Sequence, residues 1–246
     1  MNPLLFGSSE RQLFGIHMPA AGRRQRRGVV ICPPWGQEYL RAHRACRLLG
    51  ERFVQNGCDV LRFDYFGSGD SAGESEDVTL EGCVQDAVWA VEELMDVAHV
   101  RRVTLVGLRL GGTVAAAAAA KSRAVDRVVL WDPISDGRAY VEDLVDSQGP
   151  PDADMIEVNG FPLTRALREE FTTIDRDWFG STPDHVLIIT SEHLDEHRRL
   201  HDTLRRQRAG AELEVLPNLR AWTEQEDFGV GAIPVDILQR IASWRN

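Results

Sequence analysis

The sequence lacks any apolar run long enough to span a bilayer, so we expect no membrane partner. Its opening segment, MNPLLFGSSE, has no basic stretch followed by a long apolar one, and a secretory signal peptide is therefore not expected. The four cysteines form neither a CxxC pair nor a histidine-spaced zinc pattern. These absences predict reduced thiols, no metal or other cofactor, and a cytoplasmic location.

Positive charge is also scarce. The chain has 28 Lys and Arg residues against 38 Asp and Glu residues, which gives a formal net charge of −10. Phosphate groups need a cationic face, so this balance argues against nucleic acid as a partner. One basic run is interpreted as a solvated turn, with a local anion or partner contact as the alternative; it consists of Arg23, Arg24, Arg26 and Arg27.

The sequence does contain a regular alternation of apolar, strand-like runs with helical stretches. Hydrophobic residues make up 43% and charged residues 27% of the 246 residues, as in ordinary globular domains. Strands are predicted at 4–6, 12–18, 28–32, 60–63, 102–106, 126–131, 185–190 and 212–216. Helices are predicted at 41–56, 79–98, 114–121 and 235–244. This order predicts one α/β domain over residues 1–246, with a doubly wound, mostly parallel sheet and an antiparallel edge.

The segment 133–184 is too long for a simple connection between strands. It contains Gly149-Pro150-Pro151, a helical stretch at 164–172 and the pair Asn159-Gly160, which is typical of a hairpin turn. We expect this segment to form a small cap over the carboxyl edge of the sheet.

A tight strand-to-helix turn is predicted at Gly107-Leu108-Arg109-Leu110-Gly111. An apolar strand precedes it and an alanine-rich helix follows, which is the G-x-[residue]-x-G arrangement of a nucleophile elbow. Glycine is needed on both sides because the turn is tight and pushes its central residue out above the sheet. Arg109 occupies that central place.

Two further stretches accompany this turn. The segment 64–73, DYFGSGDSAG, looks like the D-x-x-G-x-G-x-S-x-G loop of many α/β-hydrolases, and Pro33-Pro34-Trp35-Gly36 stands where that fold has its oxyanion loop. With FGSSERQLFG, PPWGQEYLRAHR, GLRLGG and LWDPISDGRAY, they make the chain resemble the α/β-hydrolase superfamily over nearly its whole length. The resemblance is greatest to bacterial serine-aminopeptidase-like proteins, including exosortase-associated hydrolases and relatives encoded near biosynthetic gene clusters.

The resemblance implies a catalytic serine, an acid and a histidine, and two of these are missing from their places. A serine is expected where Arg109 stands and a histidine after the last strand, yet no histidine follows Leu216. Glu192 and Asp195 lie in the usual acid region and are interpreted as solvated. A guanidinium is protonated at any relevant pH and is no nucleophile, so an acyl-enzyme route through residue 109 is closed.

Arg109 is the centre of the expected site. At a helix N-terminus its guanidinium favours a carboxylate or phosphate group, and the alternative is an ion pair with Asp132 or Glu38. His43 and Glu38 are candidates for moving protons, and Asp132 is a candidate acid. Each has a structural alternative: His43 is a surface histidine, Glu38 caps the next helix, and Asp132 is an ion-pair partner of Arg109.

Ligand contacts are expected from the backbone amides of Trp35 and Leu110 and from the side chains of Asp64 and Ser68. Ser68 could also be offered as a substitute nucleophile, as could Ser71 and Cys32. We favour loop hydrogen bonding as the role of the two serine hydroxyls and buried packing as the role of the Cys32 thiol.

Three histidines recur every four residues near the C-terminal third of the chain: His193, His197 and His201. Metal binding is one interpretation of this spacing. The mixed acidic and basic sequence around them favours an exposed amphipathic helix without metal.

Two functions remain open. The favoured one is a hydrolase-superfamily enzyme that acts on an acyl ester, a thioester or a carboxylate-bearing specialised metabolite without a covalent serine intermediate. The alternative is a non-catalytic pseudo-hydrolase that binds an anionic ligand or a partner biosynthetic protein. The missing histidine favours the alternative, whereas a dense polar set favours the enzyme: Glu38, His43, Asp64, Arg109 and Asp132.

Overall fold

The computed structural model describes residues 1–145, 153–207, 210–218, 220–222 and 233–244. Its strands are β1 (Asn2–Gly7), β2 (Gln12–Met18), β3 (Arg27–Cys32), β4 (Asp59–Phe63), β5 (Arg102–Leu108), β6 (Val125–Trp131), β7 (Met155–Val158), β8 (Phe161–Thr164), β9 (His185–Thr190) and β10 (Gly210–Val215). Eight of them form one sheet in the order β1-β2-β4-β3-β5-β6-β9-β10. The β1–β2 and β2–β4 pairs are antiparallel and the other neighbours are parallel, which confirms the predicted sheet.

The helices are α1 (Gln37–Gln55), α2 (Leu80–Ala98), α3 (Leu110–Lys121), α4 (Gly137–Val145), α5 (Arg165–Thr172), α6 (Asp195–Gln207) and α7 (Val235–Ser243). Helices α1 and α7 contribute to one apolar cluster, and α2, α3 and α6 contribute to the other. The sheet is therefore covered on both faces, as the α/β-hydrolase fold requires.

Strand β3 shows how the sequence produces two apolar layers. Val29 and Ile31 belong to the cluster of α1 and α7, whereas Val30 and Cys32 belong to the cluster of α2 and α3. Successive side chains point to opposite faces of a strand, so a continuous apolar run fills both layers.

Two helices begin earlier than the sequence pattern predicted. Helix α1 begins at Gln37 rather than at residue 41, after Gly36 turns the chain with a φ of 64°. Helix α3 begins at Leu110 rather than at residue 114, so Gly111 and Gly112 lie inside its first turn. For α3 the predicted start was late because Gly111 and Gly112 were taken as turn residues although they lie within the helix.

Residues 133–184 contain α4, β7, β8, α5 and a short 3₁₀ helix, Arg176–Phe179. Strands β7 and β8 pair antiparallel through the two-residue turn Asn159-Gly160, in which φ is 50° and 88°. Positive φ at both positions is typical of a type I′ hairpin turn, so the predicted hairpin is confirmed. The predicted turn at Gly149-Pro150-Pro151 lies outside the described residues.

The basic run is not simply a solvated turn. Arg24 Nε donates to Asp59 Oδ2 at 2.8 Å, and Arg27 in β3 pairs with Asp126. These ion pairs fasten the amino-terminal edge of the sheet. Within the described residues, no helix has the length and apolar character needed to cross a membrane.

Candidate active site

The turn between β5 and α3 is the tightest approach in the sheet. A Cβ on Gly107 would lie 2.0 Å from the carbonyl oxygen of Gly111, and one on Gly111 would lie 2.2 Å from that of Cys32. Between them, Arg109 adopts φ 54° and ψ −122°, a strained conformation for a residue with a side chain. Its backbone N–H donates to the carbonyl of Trp131 at 2.9 Å, which fixes the turn to β6.

The side chain of Arg109 is engaged in an ion pair. Its Nε donates to Glu38 Oε1 at 2.9 Å, and both side chains are about five-sixths buried. The guanidinium carbon lies 5.6 Å from the ring centroid of Tyr140 and 5.1 Å from that of Trp222. Burial lowers the pKa of Arg109, but Glu38 and other neighbours outweigh it and leave that pKa raised. Of the two pairings left open by the sequence, the one with Glu38 is present.

Glu38 joins three elements at this point. It lies in the first turn of α1, and its Oε2 accepts a long hydrogen bond of 3.5 Å from the hydroxyl of Tyr140 in α4. Burial, followed by the charge of Glu38, raises the pKa of Tyr140 well above its usual value, so this phenol remains a donor.

Asp132 directly follows β6, and its carboxylate accepts hydrogen bonds from Ser191, which directly follows the neighbouring strand β9. Its Oδ1 accepts from the backbone N–H of Ser191 and its Oδ2 from the Ser191 hydroxyl, both at 2.8 Å. The residue is 2% exposed. Burial raises the pKa of this carboxyl to about 6, although Ser191 and the charge of Arg109 act in the opposite direction. Asp132 therefore exchanges its proton near neutral pH.

Arg109, Asp132 and Tyr140 line one cleft with a volume of about 120 Å³. We call it the Arg109 cleft, and it is defined by Arg109, Asp132, Tyr140, Glu196, His197 and Trp222. It lies at the carboxyl ends of β5, β6 and β9, the edge of a parallel sheet at which ligands usually bind.

The structure places His43 and Asp64 in a different cavity, of about 80 Å³, together with Tyr39 and Arg62. The Tyr39 hydroxyl donates to Asp64 Oδ1 at 2.7 Å, and the rings of Tyr39 and His43 meet edge to face at 6.1 Å. Burial and the charge of Arg62 lower the pKa of His43. The imidazole of His43 is therefore favoured in its neutral form. His43 does not line the Arg109 cleft.

Trp35 and Ser68 line a third cavity, of about 110 Å³, with apolar walls. Trp35 is buried and packs against Phe161 and Phe171, with ring centroids 6.3 and 5.7 Å away. Leu110 is the first residue of α3, and the first N–H groups of a helix have no partner within it.

Two of the groups considered as substitute nucleophiles, the Cys32 thiol and the Ser71 hydroxyl, have environments that favour structural roles. Burial raises the pKa of the Cys32 thiol to about 12, which leaves almost no thiolate at neutral pH. The Ser71 hydroxyl donates to the carbonyl of Asp64 at 2.6 Å and accepts from the N–H of Phe14 at 2.9 Å. It fastens the loop after β4 to β2.

The three spaced histidines do not share a face. His193 precedes α6 and is exposed, whereas His197 is 2% exposed and its Nε2 lies 3.2 Å from the carbonyl of Pro133. Over the described ranges, no group of three potential ligands is arranged to hold a metal ion. Glu192, which was interpreted as solvated, is half-exposed and pairs with Arg220 at 3.2 Å.

Sequence reasoning missed Tyr140, Ser191 and Trp222, and it considered His197 only as a metal ligand or as part of an exposed amphipathic helix. A signal existed for Ser191, because it follows β9 just as Asp132 follows the adjacent strand β6. Residues directly after neighbouring parallel strands meet at one edge of the sheet. Tyr140 and Trp222 had no comparable signal, since they come from elements whose path the sequence did not reveal.

Comparison with known families gives the context of this site. The family model described as serine aminopeptidase, S33, a hydrolase family, matches residues 24–158. This chain belongs to that family. The matched range includes the β5–α3 turn, Glu38 and Asp132. No curated protein sequence is significantly similar to the chain.

Solved structures share the fold of the family at low sequence identity. Est1E of Butyrivibrio proteoclasticus, solved with ferulic acid, is 18% identical with a TM-score of 0.72, over 98% of this chain and 100% of that one. An esterase of Pyrococcus furiosus is 16% identical with a TM-score of 0.69, over 98% and 88%. Alpha/beta hydrolase domain-containing protein 10 from mouse is 16% identical with a TM-score of 0.58, over 89% and 90%.

Proposed function

We propose that this chain is a hydrolase that cleaves an acyl ester or thioester of a small molecule without a covalent serine intermediate. Arg109 takes the place at which the resemblance predicts the serine. Its guanidinium is charged, paired with Glu38 and no nucleophile. The sequence also has no histidine after His201, so a hydroxyl at this turn would have no general base in the usual loop.

Asp132 is the group best suited to activate water in the Arg109 cleft. A general base is most effective when its pKa lies near the working pH, and the pKa of Asp132 is raised to about 6. Two donors from Ser191 fix the carboxylate, and each oxygen keeps a second lone pair for water. Asp132 replaces His43 in this role because His43 lines a separate cavity.

Arg109 supplies positive charge where negative charge develops. As water attacks the acyl carbon, its proton passes to Asp132 and the carbonyl oxygen becomes an oxyanion. The guanidinium of Arg109 stabilises that oxyanion, together with the N–H of Leu110 at the start of α3. The proton on Asp132 then passes to the departing alcohol or thiol. Residues 133–184 act as the cap over this edge of the sheet.

The observation that carries this proposal is the position of the buried Asp132 carboxylate, which Ser191 holds in the cleft that Arg109 also lines. Asp132→Asn removes the base while keeping the size and polarity of the side chain, so kcat for p-nitrophenyl butyrate and S-phenyl thiobutyrate should fall by about 10²–10⁴-fold. Glu142→Gln changes an exposed carboxylate on α4 and should leave kcat unchanged. In the unaltered chain, kcat/KM should rise with pH through about 6. An Asp132→Asn variant with unchanged kcat would refute the proposal.

A second candidate is a non-catalytic pseudo-hydrolase that holds an anionic ligand or a partner biosynthetic protein. The observation that favours it is the ion pair of Arg109 with Glu38, which already engages the guanidinium that would face a substrate. It predicts no turnover of either ester above the rate in buffer, with saturable binding of a ligand in the Arg109 cleft.

A further inference from the structure

The basic run singled out in the sequence lies at the end of the sheet opposite the Arg109 cleft. Residues 23–26 directly precede β3. Strands β4, β3, β5, β6 and β9 are parallel to one another, so their starts share one edge of the sheet and their carboxyl ends share the other. The Arg109 cleft lies at the carboxyl ends, and the reaction proposed for it does not use this run.

Neighbouring strands bring further arginines to the same edge. Arg102 is the first residue of β5, and its register partner is Arg27, the first residue of β3. Arg101 directly precedes Arg102. Arg123 lies just before β6, which is the next strand of the sheet. Three adjacent strands therefore begin with arginine side chains at one edge.

The composition of this edge is the reverse of the composition of the whole chain. The segments that lead into β3, β5 and β6 contain seven arginines and no aspartate or glutamate; they are residues 19–27, 99–102 and 122–124. The whole chain has a formal net charge of −10. Positive charge is therefore concentrated at this edge of an acidic protein.

Two of these arginines have carboxylate partners and five do not. Arg24 pairs with Asp59, and Arg27 pairs with Asp126. The other five are exposed, and none of them forms an ion pair in the part of the chain that the structure describes. We call these five the amino-edge arginines: Arg23, Arg26, Arg101, Arg102 and Arg123.

Asp126 and Arg127 show that positive charge dominates behind this edge. Burial raises the pKa of Asp126, but the hydrogen bond and charge of Arg27, with the charges of Arg127 and Arg102, outweigh it and leave that pKa lowered. Burial and the charge of Arg27 lower the pKa of Arg127, although Asp126 acts in the opposite direction. One carboxylate thus stands among several guanidiniums, and a further anion at the edge relieves their mutual repulsion.

The width of this surface fits a short acidic segment in an extended conformation. Neighbouring strands lie about 4.8 Å apart and an extended chain advances about 3.3 Å per residue, so about four residues cover the starts of β3, β5 and β6. A guanidinium binds a carboxylate through two parallel hydrogen bonds, and a run of acidic residues presents such groups along its length. A nucleic acid is disfavoured because its phosphates continue beyond the arginines, over a surface of net negative charge.

We propose that the amino-edge arginines dock a short acidic segment of a partner protein. This inference is independent of the proposed function, because the docking surface and the Arg109 cleft lie at opposite edges of the sheet. A partner docked there leaves the cleft open to small molecules.

Fluorescence anisotropy with a labelled hexaglutamate peptide tests this inference directly. The peptide should bind saturably at low ionic strength and should be released as salt is added, because exposed ion pairs are screened. Arg101→Gln, Arg102→Gln and Arg123→Gln together form the amino-edge variant, which should raise Kd at least about threefold through the loss of three exposed ion pairs. If the amino-edge variant does not fold, Arg102→Gln alone should raise Kd by about 1.5- to 5-fold.

A matched variant separates the position of the charges from their number. Arg44→Gln, Arg198→Gln and Arg199→Gln together form the control variant, which removes three exposed charges from α1 and α6. These helices begin at the carboxyl edge of the sheet. Kd should change by less than about twofold, because salt screens charges that do not contact the peptide.

Other occupants of this surface would give different results. Labelled hexathymidylate should bind more weakly than hexaglutamate, and sedimentation velocity should show no dimer that the amino-edge variant dissociates. The inference is overturned if hexaglutamate does not bind saturably, if the control variant weakens binding as much as the amino-edge variant, or if hexathymidylate binds more tightly. A dimer that the amino-edge variant dissociates would also overturn it, because a second copy of the chain would then occupy the surface.

Discussion

At the scale of single residues, the site depends on a buried charge and the partner that makes its burial tolerable. Arg109 stands on a strained backbone at a helix start, where a free cation would be both desolvated and adjacent to N–H groups. Glu38 compensates for both by an ion pair of 2.9 Å, and Tyr140 adds a hydrogen bond to the same carboxylate. Breaking such a pair costs more than removing both members, because the remaining charge stays buried.

This pair gives the first prediction. Arg109→Met keeps contact with the rings of Tyr140 and Trp222 but leaves Glu38 without its cation, so the free energy of unfolding should fall by about 1–3 kcal/mol. Arg109→Met combined with Glu38→Gln should recover part of that loss. Urea unfolding of the two single variants and the double variant measures the coupling, and a coupling energy of zero would show that the pair does not form in solution.

The second prediction concerns Asp132 and pH. Its pKa is raised from the ordinary value of 3.8 to about 6 in the folded chain, so the folded state binds this proton more tightly than the unfolded state does. The contribution of Asp132 to stability is therefore greatest below its unfolded pKa and declines as pH rises toward 6, by about 2–3 kcal/mol.

Asp132→Asn cannot ionise and should lack this dependence. The difference in unfolding free energy between the unaltered chain and Asp132→Asn, measured in urea below pH 4 and again above pH 7, should shift in favour of the variant at the higher pH. A difference that stays constant with pH would mean that the carboxyl is not perturbed.

At the scale of elements, the β5–α3 turn decides where the site lies. Strand and helix pass so closely that backbone of α3 approaches backbone of β3 and β5, and glycine is the residue that allows it. After Val114, the buried side chains of helix α3 are all alanine, which keeps this part of the helix close to the sheet.

The third prediction follows from this approach. Gly111→Ala places a methyl group 2.2 Å from the carbonyl oxygen of Cys32, so either β3 or α3 must shift. We expect a loss of more than about 3 kcal/mol in unfolding free energy, or an insoluble protein. Gly180→Ala is the control, because its nearest neighbour would be the Asp177 carbonyl at 3.3 Å. Equal thermal stability of Gly111→Ala and the unaltered chain would contradict the described turn.

The sequence predicted these elements better than it predicted their contacts. Alternating apolar runs located every strand of the large sheet, and the glycines around Arg109 located the turn, because periodicity and backbone geometry are local properties. His43 and Glu38 were both candidates for moving protons in one site, yet α1 directs Glu38 toward α4 and leaves His43 beside Tyr39. The rotation of a helix about its axis depends on which elements cover it, and that information is not local.

At the scale of the whole molecule, two apolar layers enclose the sheet and divide the thiols between them. Cys32 and Cys83 belong to the layer of α2 and α3, and Cys46 and Cys58 belong to the layer of α1 and α7. All four are buried, and none of them forms a disulfide bond in the part of the chain that the structure describes. Burial raises the pKa of Cys32 to about 12 and that of Cys46 to about 11, and it raises the pKa of Cys83 as well.

The fourth prediction uses these thiols to report on both layers. In the folded chain, a thiol-specific disulfide reagent should react with none of the four cysteines on the timescale of an exposed thiol, because all four side chains are buried and the reagent lacks access to them. In concentrated guanidinium chloride all four should react. A fast-reacting thiol in the folded chain would show that one layer is open, and mass mapping of the labelled peptide would identify which.

The central claim is that acyl transfer to water in the Arg109 cleft passes through no covalent intermediate. Rapid-quench intact mass spectrometry during turnover of p-nitrophenyl butyrate tests it most directly. We predict that nitrophenol appears faster than in buffer while the 27.5 kDa chain keeps its unmodified mass at every time point. A population heavier by one butyryl group that forms and decays with turnover would contradict the account.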